Sequence, residues 1–199
     1  MLKRTILIST VVAMISVTAM ARGHYSDNVN RGQSTTATSS YSRTTSISSL
    51  PLSDLTDAQK SDLLFMIEEE KLARDVYTYL YNLWGNYVFN SIARSEQKHI
   101  DAIEFLINRY GLDTPSTLNT QGVFENEELQ SLYNTLIEKG QSSLIDALEV
   151  GVMVEETDIS DLEDILDVGV PSDFETIYQN LLKGSYSHLN AFNRQLSIQ

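Results

Sequence analysis

The spacing of hydrophobic positions beyond residue 50 follows the period of an α-helix almost throughout. Apolar side chains recur on one helical face, as in the series Leu63, Ile67 and Val76, a spacing typical of amphipathic helices. Alternation with a period of two is not sustained, and no Asn-Gly pair offers a hairpin turn. The pattern therefore predicts an all-α fold.

Gly and Pro residues divide this pattern into four long helices and one shorter helix. Two long helices come first, the shorter helix follows within a long connection, and two more long helices complete the chain. This order is typical of a four-helix bundle with one long crossover. The predicted helices span about residues 57–83, 87–110, 126–139 and 143–166, and the last follows Ser172, its predicted N-cap, to about residue 196.

Residues 1–21 have the layout of a secretory signal peptide. Lys3 and Arg4 form a positive segment, an apolar run spans residues 5–17, and Ala19-Met20-Ala21 is a small-x-small cleavage site. The run is short for a membrane span, although an uncleaved N-terminal anchor is the alternative. We therefore expect export to the periplasm or the extracellular space, with no stable membrane insertion after cleavage.

Residues 22–50 are rich in Ser, Thr, Arg, Asn and Gly and contain few aliphatic side chains. Such a segment buries too little apolar surface to order itself, so we interpret it as a disordered linker; an adhesive or glycosylated segment is the alternative. The remaining residues, 51–199, are of a length that suits one domain, the helical bundle.

The chain is acidic, with 27 Asp and Glu against 14 Lys and Arg. This balance disfavours nucleic acid and anionic membrane surfaces as partners. It serves solubility, or it attracts cations. Because the chain contains no Cys, disulfides cannot hold the fold together.

Glu96 and His99 stand three residues apart within the second long helix. At this spacing both side chains leave the same helix face, so they can bind one metal ion. Of the three histidines in the chain, only His99 and His188 fall within the predicted bundle. Each lies on the predicted inward face of its helix.

Carboxylates on an inward helix face need a partner or a metal, because a bare buried charge is costly. Glu70 lies in line with Ile67 and Tyr77 on the first helix, and Glu156 in line with Met153 on the fourth of the five helices. The acidic residues Glu68, Asp158, Asp161, Glu163 and Asp164 are instead expected on solvated surface. The predicted metal ligands are Glu70, Glu96, His99, Glu156 and His188, with Glu149, Ser185, Tyr77 and Asp75 as accessory candidates.

This mixture of carboxylate oxygens and imidazole nitrogens suits iron, manganese or zinc. Two histidines with several carboxylates inside a bundle suit a site for two metal ions in particular. A site for one ion, using both histidines and one or two glutamates, is the alternative.

Several short motifs carry a resemblance to known families. The segment Glu70-Lys71-Leu72-Ala73-Arg74-Asp75-Val76-Tyr77 resembles the first metal-binding helix of rubrerythrin-like members of the ferritin-like superfamily, and Glu96-x-x-His99 resembles their second. From about residue 52 to 192 the chain resembles more closely a family known by a domain-of-unknown-function name, DUF2202. The motifs that carry this resemblance are Glu-Glu-Glu-Lys-Leu-Ala-Arg-Asp, Ser-Glu-x-x-His, Val-Glu-Glu-Thr-Asp-Ile and Gly-Ser-x-x-His-Leu.

The resemblance implies a ferritin-like four-helix bundle, but it does not supply a substrate. Our first interpretation is a bundle with a non-haem carboxylate–histidine centre of the di-iron type, with oxygen or peroxide as the small partner. Glu70 and Glu156 would be terminal ligands, Glu96 would bridge, and the two histidines would each hold one ion. A homodimer is also expected. Whether the protein is a metal-dependent oxidoreductase stays open at this point.

One position departs from the superfamily pattern. Its last helix usually carries a second Glu-x-x-His, but this chain has Ser185 three residues before His188. Three glutamates then face two divalent ions, so an external anion or Glu149 completes the charge balance, or the second ion binds weakly. The alternative function is a non-catalytic binding or metal-sequestering module with a degenerate site.

Overall fold

A computed structural model describes residues 47–199. The chain divides into two units, Met1–Leu50 and Pro51–Gln199. The first unit is described only from residue 47, where the Leu50 N–H donates to the Ile47 carbonyl oxygen at 3.0 Å. The signal peptide and most of the linker that the sequence predicts lie outside the described residues.

The second unit is all-helical. The described residues contain no strand, as the hydrophobic periodicity predicts. In Pro51–Gln199 the helices are α1 (Asp57–Trp84), α2 (Tyr87–Arg109), α3 (Glu127–Gly140), α4 (Leu144–Val168) and α5 (Ser172–Leu196).

Side-chain caps fix most of the helix starts. Thr56 forms a capping box with Gln59 at the start of α1, and Asn86, Asn126 and Ser143 cap the next three helices. The prediction for α5 was wrong by one residue: Pro171 is its N-cap, without a side-chain cap hydrogen bond, and Ser172 is the first helical residue.

The four long helices pack in a cyclic order. The pairs α1–α2 and α4–α5 make the most extensive contacts, and α2 also packs on α5 and α1 on α4, while α3 lies against α1 and α4. The buried apolar faces of the long helices meet in one core. Near its middle Tyr77, Phe89 and Phe192 form an aromatic cluster, with ring centroids 5.2 Å apart for Tyr77 and Phe192 and 5.6 Å apart for Phe89 and Phe192.

The connection between α2 and α4 is fastened to α1 by buried charged side chains. Glu68, predicted on the surface, is only 4% exposed. It accepts hydrogen bonds from the backbone N–H groups of Glu125, at 2.6 Å, and Asn126, at 2.9 Å. Asp75 accepts from the buried Lys71 ammonium at 2.6 Å and from the Gly122 N–H at 2.9 Å. These contacts place the start of α3 without using any group of the metal centre described below.

Within residues 47–199, none of the helices combines the length and the apolar character that a membrane crossing requires.

Candidate metal centre

Three carboxylates and two imidazoles meet between the four long helices. Glu70 comes from α1, Glu96 and His99 from α2, Glu155 from α4 and His188 from α5. Each carboxylate is 2% exposed and each histidine 8% exposed. Their convergence follows from the helix packing, because each of these side chains lies on the face that its helix turns toward the core.

These five side chains form two triads that share one member. Ligand atoms of Glu70, Glu96 and His99 all lie within 4.8 Å of one another, and so do those of Glu96, Glu155 and His188. Each triad contains two carboxylates and one imidazole, a donor set that first-row metal ions accept. The shared residue, Glu96, places the two triads side by side.

Glu96 offers one oxygen to each histidine. Its Oε2 lies 2.8 Å from Nδ1 of His99, and its Oε1 lies 2.8 Å from Nδ1 of His188. The second carboxylate of each triad approaches the same ring nitrogen: Glu70 Oε2 lies 3.1 Å from Nδ1 of His99, and Glu155 Oε2 lies 3.5 Å from Nδ1 of His188. Each Nδ1 therefore faces two acidic oxygens, although a ring nitrogen carries at most one proton.

Several of these atoms are buried without a hydrogen bond. Glu70 Oε1, Glu96 Oε1 and His188 Nδ1 make none within the described protein, even though the last two atoms are 2.8 Å apart. The contact is short, but its direction is wrong for a hydrogen bond. Buried polar atoms without partners are rare and need an explanation, and a shared metal ion between these atoms would supply one.

The two imidazole rings lie close together against a glycine. Their centroids are 5.6 Å apart, with 28° between the ring planes. Gly184 of α5 packs on His99, so that a Cβ added there would stand 2.7 Å from Nε2 of that ring. Glycine weakens the interior of a helix, and this close approach explains its presence in the middle of α5.

Charge within the centre is concentrated on Glu96 and the histidines. Burial opposes ionisation of Glu96, but the adjoining His188 and His99 rings outweigh it and lower the pKa of Glu96 to about 2. Burial likewise opposes the charge on His188, but Glu155 and Glu96 raise the pKa of His188 to about 10. For His99, Glu70 and Glu96 overcome burial and raise the pKa well above its ordinary value. Without metal, both rings therefore carry a proton that a metal ion must displace.

The outer carboxylates hold protons near neutral pH. Burial is the main cause that raises the pKa of Glu70 to about 7, and His99 opposes it. Burial and the charge of Glu96 raise the pKa of Glu155 to about 7. The Tyr77 hydroxyl donates to Glu155 Oε1 at 2.6 Å, which fixes the orientation of that carboxylate. Tyr77, an accessory candidate from the sequence, thus contacts a member of the site.

The sequence prediction for α4 was wrong by one residue. Glu156, expected to face inward, lies on the exposed face, and Glu155 takes its place in the centre. The inward face of α4 follows Leu148, Gly151 and Glu155. The prediction also used Gly151 and the buried Ile159, but it took its direction from Met153, which is only half-buried. Adjacent helical residues differ in direction by about 100°, so the choice between these two lines decided which glutamate faced the core.

Two accessory candidates lie elsewhere. Glu149 is exposed and pairs with Lys139, with 2.7 Å between carboxylate oxygen and ammonium nitrogen. Asp75 is buried, but its partners are Lys71, Arg74 and the Gly122 N–H. Neither belongs to the two triads.

Ser185 lies beside the centre. It contacts Asp158, a buried residue that was not predicted from the sequence. Ser185 is fully buried and hydrogen-bonds through Oγ to Asp158 of α4, which was expected on the surface but is only 6% exposed. Glu69 is also buried, near Asp158 and Asp161. The sequence signal for Asp158 was its position three residues after Glu155, the same spacing that links Glu96 to His99.

These residues fit a centre for metal ions. The donors are hard carboxylate oxygens and imidazole Nδ1 atoms, and several of them are buried without partners. Such a set could hold iron, manganese or zinc. The arrangement can also store and release protons, because it combines two protonated imidazoles with two carboxyl groups whose pKa values are about 7.

Comparison with known proteins identifies the family. Residues 59–199 match the family model described as "Uncharacterized protein domain (DUF2202)". The chain therefore belongs to the DUF2202 family, as its motifs predict.

A relative and its solved structure agree with this assignment. The chain is 45% identical over 151 residues to "Uncharacterized protein MJ0754" of Methanocaldococcus jannaschii, covering 76% of this chain and 82% of that protein. It is also similar to the crystal structure titled as hypothetical protein MJ0754 from Methanococcus jannaschii, with a TM-score of 0.73 and 44% identity over 75% of this chain and 85% of the other.

Proposed function

We propose that this protein is a ferritin-like four-helix bundle that binds two metal ions in a carboxylate–histidine centre. The observation that carries the proposal is the position of Glu96, with one oxygen 2.8 Å from each histidine Nδ1. Because the two triads share this residue, a bridging carboxylate between two ions accounts for both of them. The cyclic packing of the four long helices and the long connection between α2 and α4 support the ferritin-like assignment.

The roles in this centre follow from the triads. Glu70 and His99 would hold one ion, Glu155 and His188 would hold the other, and Glu96 would bridge the pair. Glu155 therefore takes the terminal role that the sequence assigned to Glu156. Tyr77 would orient Glu155 through its hydrogen bond, as groups behind metal ligands commonly do.

The chemistry we propose is redox chemistry with oxygen or peroxide as the small partner. A bound pair of iron or manganese ions would give electrons to oxygen or peroxide by being oxidised, and an external electron donor would reduce the pair again. The protein would hold the pair in a site from which helices exclude most water, since both histidines are 8% exposed.

Metal analysis of the purified protein tests the proposal. After anaerobic loading with Fe²⁺ and gel filtration, we expect about two ions per chain, a number that follows from the two triads. The double variant His99→Ala/His188→Ala should lose both. Glu156→Gln is the matched control and should keep them, because Glu156 is exposed. Wild-type protein without bound metal, or the double variant with two ions, would contradict the proposal.

Metal sequestration without turnover is the second candidate function. Ser185 favours it, because α5 lacks the glutamate that a fully conventional di-iron site would carry there. Consumption of hydrogen peroxide by iron-loaded protein in the presence of an added reductant separates the two. Catalytic consumption that the double histidine variant loses supports the redox function, and stoichiometric binding without consumption supports sequestration.

We also propose that the protein is exported, on the basis of the signal-like pattern of residues 1–21. Expression of the whole chain in a bacterium, followed by fractionation and mass measurement, tests this. A mature chain that begins at Arg22 in the exported fraction is the expected result. An intact chain in the cytoplasm would contradict it.

A further inference from the structure

The two halves of the centre differ in where a carboxylate is placed. On α2 the residue three positions before His99 is Glu96, but on α5 the residue three positions before His188 is Ser185. On α4 the residue three positions after Glu155 is Asp158, but on α1 the residue three positions after Glu70 is Ala73. In the half that contains His99, the additional carboxylate is Glu96, on the same helix as the histidine. In the half that contains His188, the additional carboxylate is Asp158, on α4, the helix that packs against α5.

Asp158 and Ser185 are in direct contact. Ser185 is fully buried, Asp158 is 6% exposed, and Ser185 Oγ hydrogen-bonds to Asp158 Oδ2. Ser185 Oγ also lies 3.0 Å from the Leu181 carbonyl oxygen. The other oxygen of Asp158, Oδ1, is buried and has no hydrogen-bond partner within the described protein.

The surroundings of Asp158 are those of the metal centre. Burial is the first cause of a pKa well above the ordinary value for this carboxyl, and the charges of Glu70, Glu155 and Glu96 add to it. Ionising a buried carboxyl among other carboxylates is costly unless cations compensate its charge, and two divalent ions in the adjoining triads would do so.

We propose that Asp158 is the fourth carboxylate of the centre, supplied from α4 in place of the glutamate that α5 lacks, and held by Ser185. This assignment rests on the proposed two-metal function. With Glu70, Glu96 and Glu155 it brings the carboxylates to four, which balances the four positive charges of two divalent ions. No external anion is then required, and neither is Glu149, which pairs with Lys139 at the surface.

Asp158 would reach the ion by turning its side chain. Its oxygens lie outside the two triads, so the carboxylate turns about its side-chain bonds toward the ion between Glu155 and His188. Ser185 would then keep one oxygen in place while the unpartnered Oδ1 turns to the ion. A serine is short enough to leave room for this carboxylate, whereas a glutamate at 185 would fill the same space.

Metal binding by substituted proteins tests the assignment. Purified wild-type protein, Asp158→Asn and the matched control Asp164→Asn are titrated anaerobically with Fe²⁺, and bound iron is counted after gel filtration. Asp164 is an exposed aspartate of the same helix. The double variant Asp158→Asn/Ser185→Glu moves the carboxylate to α5 and serves as the rescue.

We expect two ions in the wild type and in Asp164→Asn, and a second ion weakened by at least about tenfold in Asp158→Asn, in the range seen when supporting groups of metal sites are removed. The rescue variant should recover the second ion. Circular dichroism of each metal-free protein checks folding, and if Asp158→Asn fails to fold, Ser185→Ala, which removes only the hydroxyl, should weaken the same ion.

The outcomes separate this assignment from the function on which it rests. Two tightly bound ions in Asp158→Asn, or in Ser185→Ala where that variant takes its place, would overturn the role of Asp158 and leave the two-metal centre intact. If Asp158→Asn loses the second ion and the added Ser185→Glu does not restore it, Asp158 does not replace a glutamate of α5. A wild-type protein that binds no iron would overturn both the proposed function and the assignment.

Discussion

Metal binding by this centre should release protons, and the number should depend on pH. A metal ion binds neutral imidazole and ionised carboxylate, but the metal-free centre holds protons on both kinds of group. The pKa of His188 is raised to about 10 and that of His99 lies well above its ordinary value. The pKa values of Glu70 and Glu155 are about 7. Affinity for metal should therefore increase with pH.

The expected size of the effect follows from counting protons. At about pH 8 the two glutamates are largely ionised, so loading two ions displaces about two protons from the two triads, both from the histidines. At about pH 6 the glutamates are largely protonated as well, and about four protons leave the triads. A proton on Asp158, whose pKa is also raised, adds to both numbers where that carboxyl joins the ion. Each proton displaced per ion changes the affinity about tenfold per pH unit. The affinity for each ion should thus rise about tenfold per unit near pH 8 and about a hundredfold per unit near pH 6.

Isothermal titration calorimetry with Mn²⁺ measures this directly. Titrations in buffers of different ionisation enthalpy give the number of protons released, and competition with a chelator gives the affinity. The exposed-site variant Asp164→Asn should release the same number as the wild type. Equal affinity at both pH values, with no proton released, would refute the argument that the described ligands hold the metal.

Three further predictions test individual contacts. Glu155→Gln should weaken the ion near His188 by at least about tenfold, whereas Glu156→Gln, one residue along and exposed, should not; equal effects in an iron titration would contradict the placement of α4. Gly184→Ala should weaken the ion near His99, because its Cβ would stand 2.7 Å from Nε2 of the ring and would push the ring out of place. Unchanged affinity would show that the ring can move aside without losing the ion. Glu68→Gln should lower the free energy of unfolding by about 1–3 kcal/mol, because two backbone N–H groups lose a charged acceptor. Urea denaturation measures this, with the exposed Glu138→Gln as the control that should leave the free energy of unfolding unchanged. Equal stability of the two variants would contradict the role of Glu68 in holding the start of α3.

The helices could be predicted because their signals are local. Periodicity gives their type, and residues such as Thr56, Asn126 and Gly85 mark ends through backbone groups only a few positions away. The N-cap of α5 was misplaced because Ser172 has the preferred side chain, yet the chain enters the helix from Pro171.

Site residues could be predicted on the helices whose buried face is clear from the sequence. Glu96 and His99 share a face by spacing alone, and His188 lies in line with Leu181 and Phe192, which are buried. Much of α4 is apolar, so two of its faces could be taken as the buried one. The prediction chose the face that contains Glu156 and therefore missed Glu155. Periodicity cannot settle such a case, because it depends on which side the neighbouring helix packs.

The remaining errors concern partners distant in sequence. Glu68 is buried because backbone N–H groups at Glu125 and Asn126 reach it, and Asp158 is buried because Ser185 faces it. Nothing within a turn of either acidic residue shows these contacts. From the sequence, a carboxylate on an acidic helix is expected to face solvent. Its burial can be explained only when the folded structure shows which group compensates its charge.

The central claim is that Glu96 lies between two metal ions. The most direct test is a crystal structure of the iron-loaded protein with anomalous diffraction data recorded at the iron edge. We expect two anomalous peaks, one on each side of the Glu96 carboxylate, the first beside His99 and the second beside His188. A single peak, or peaks only at surface carboxylates such as Glu156 and Glu149, would contradict it.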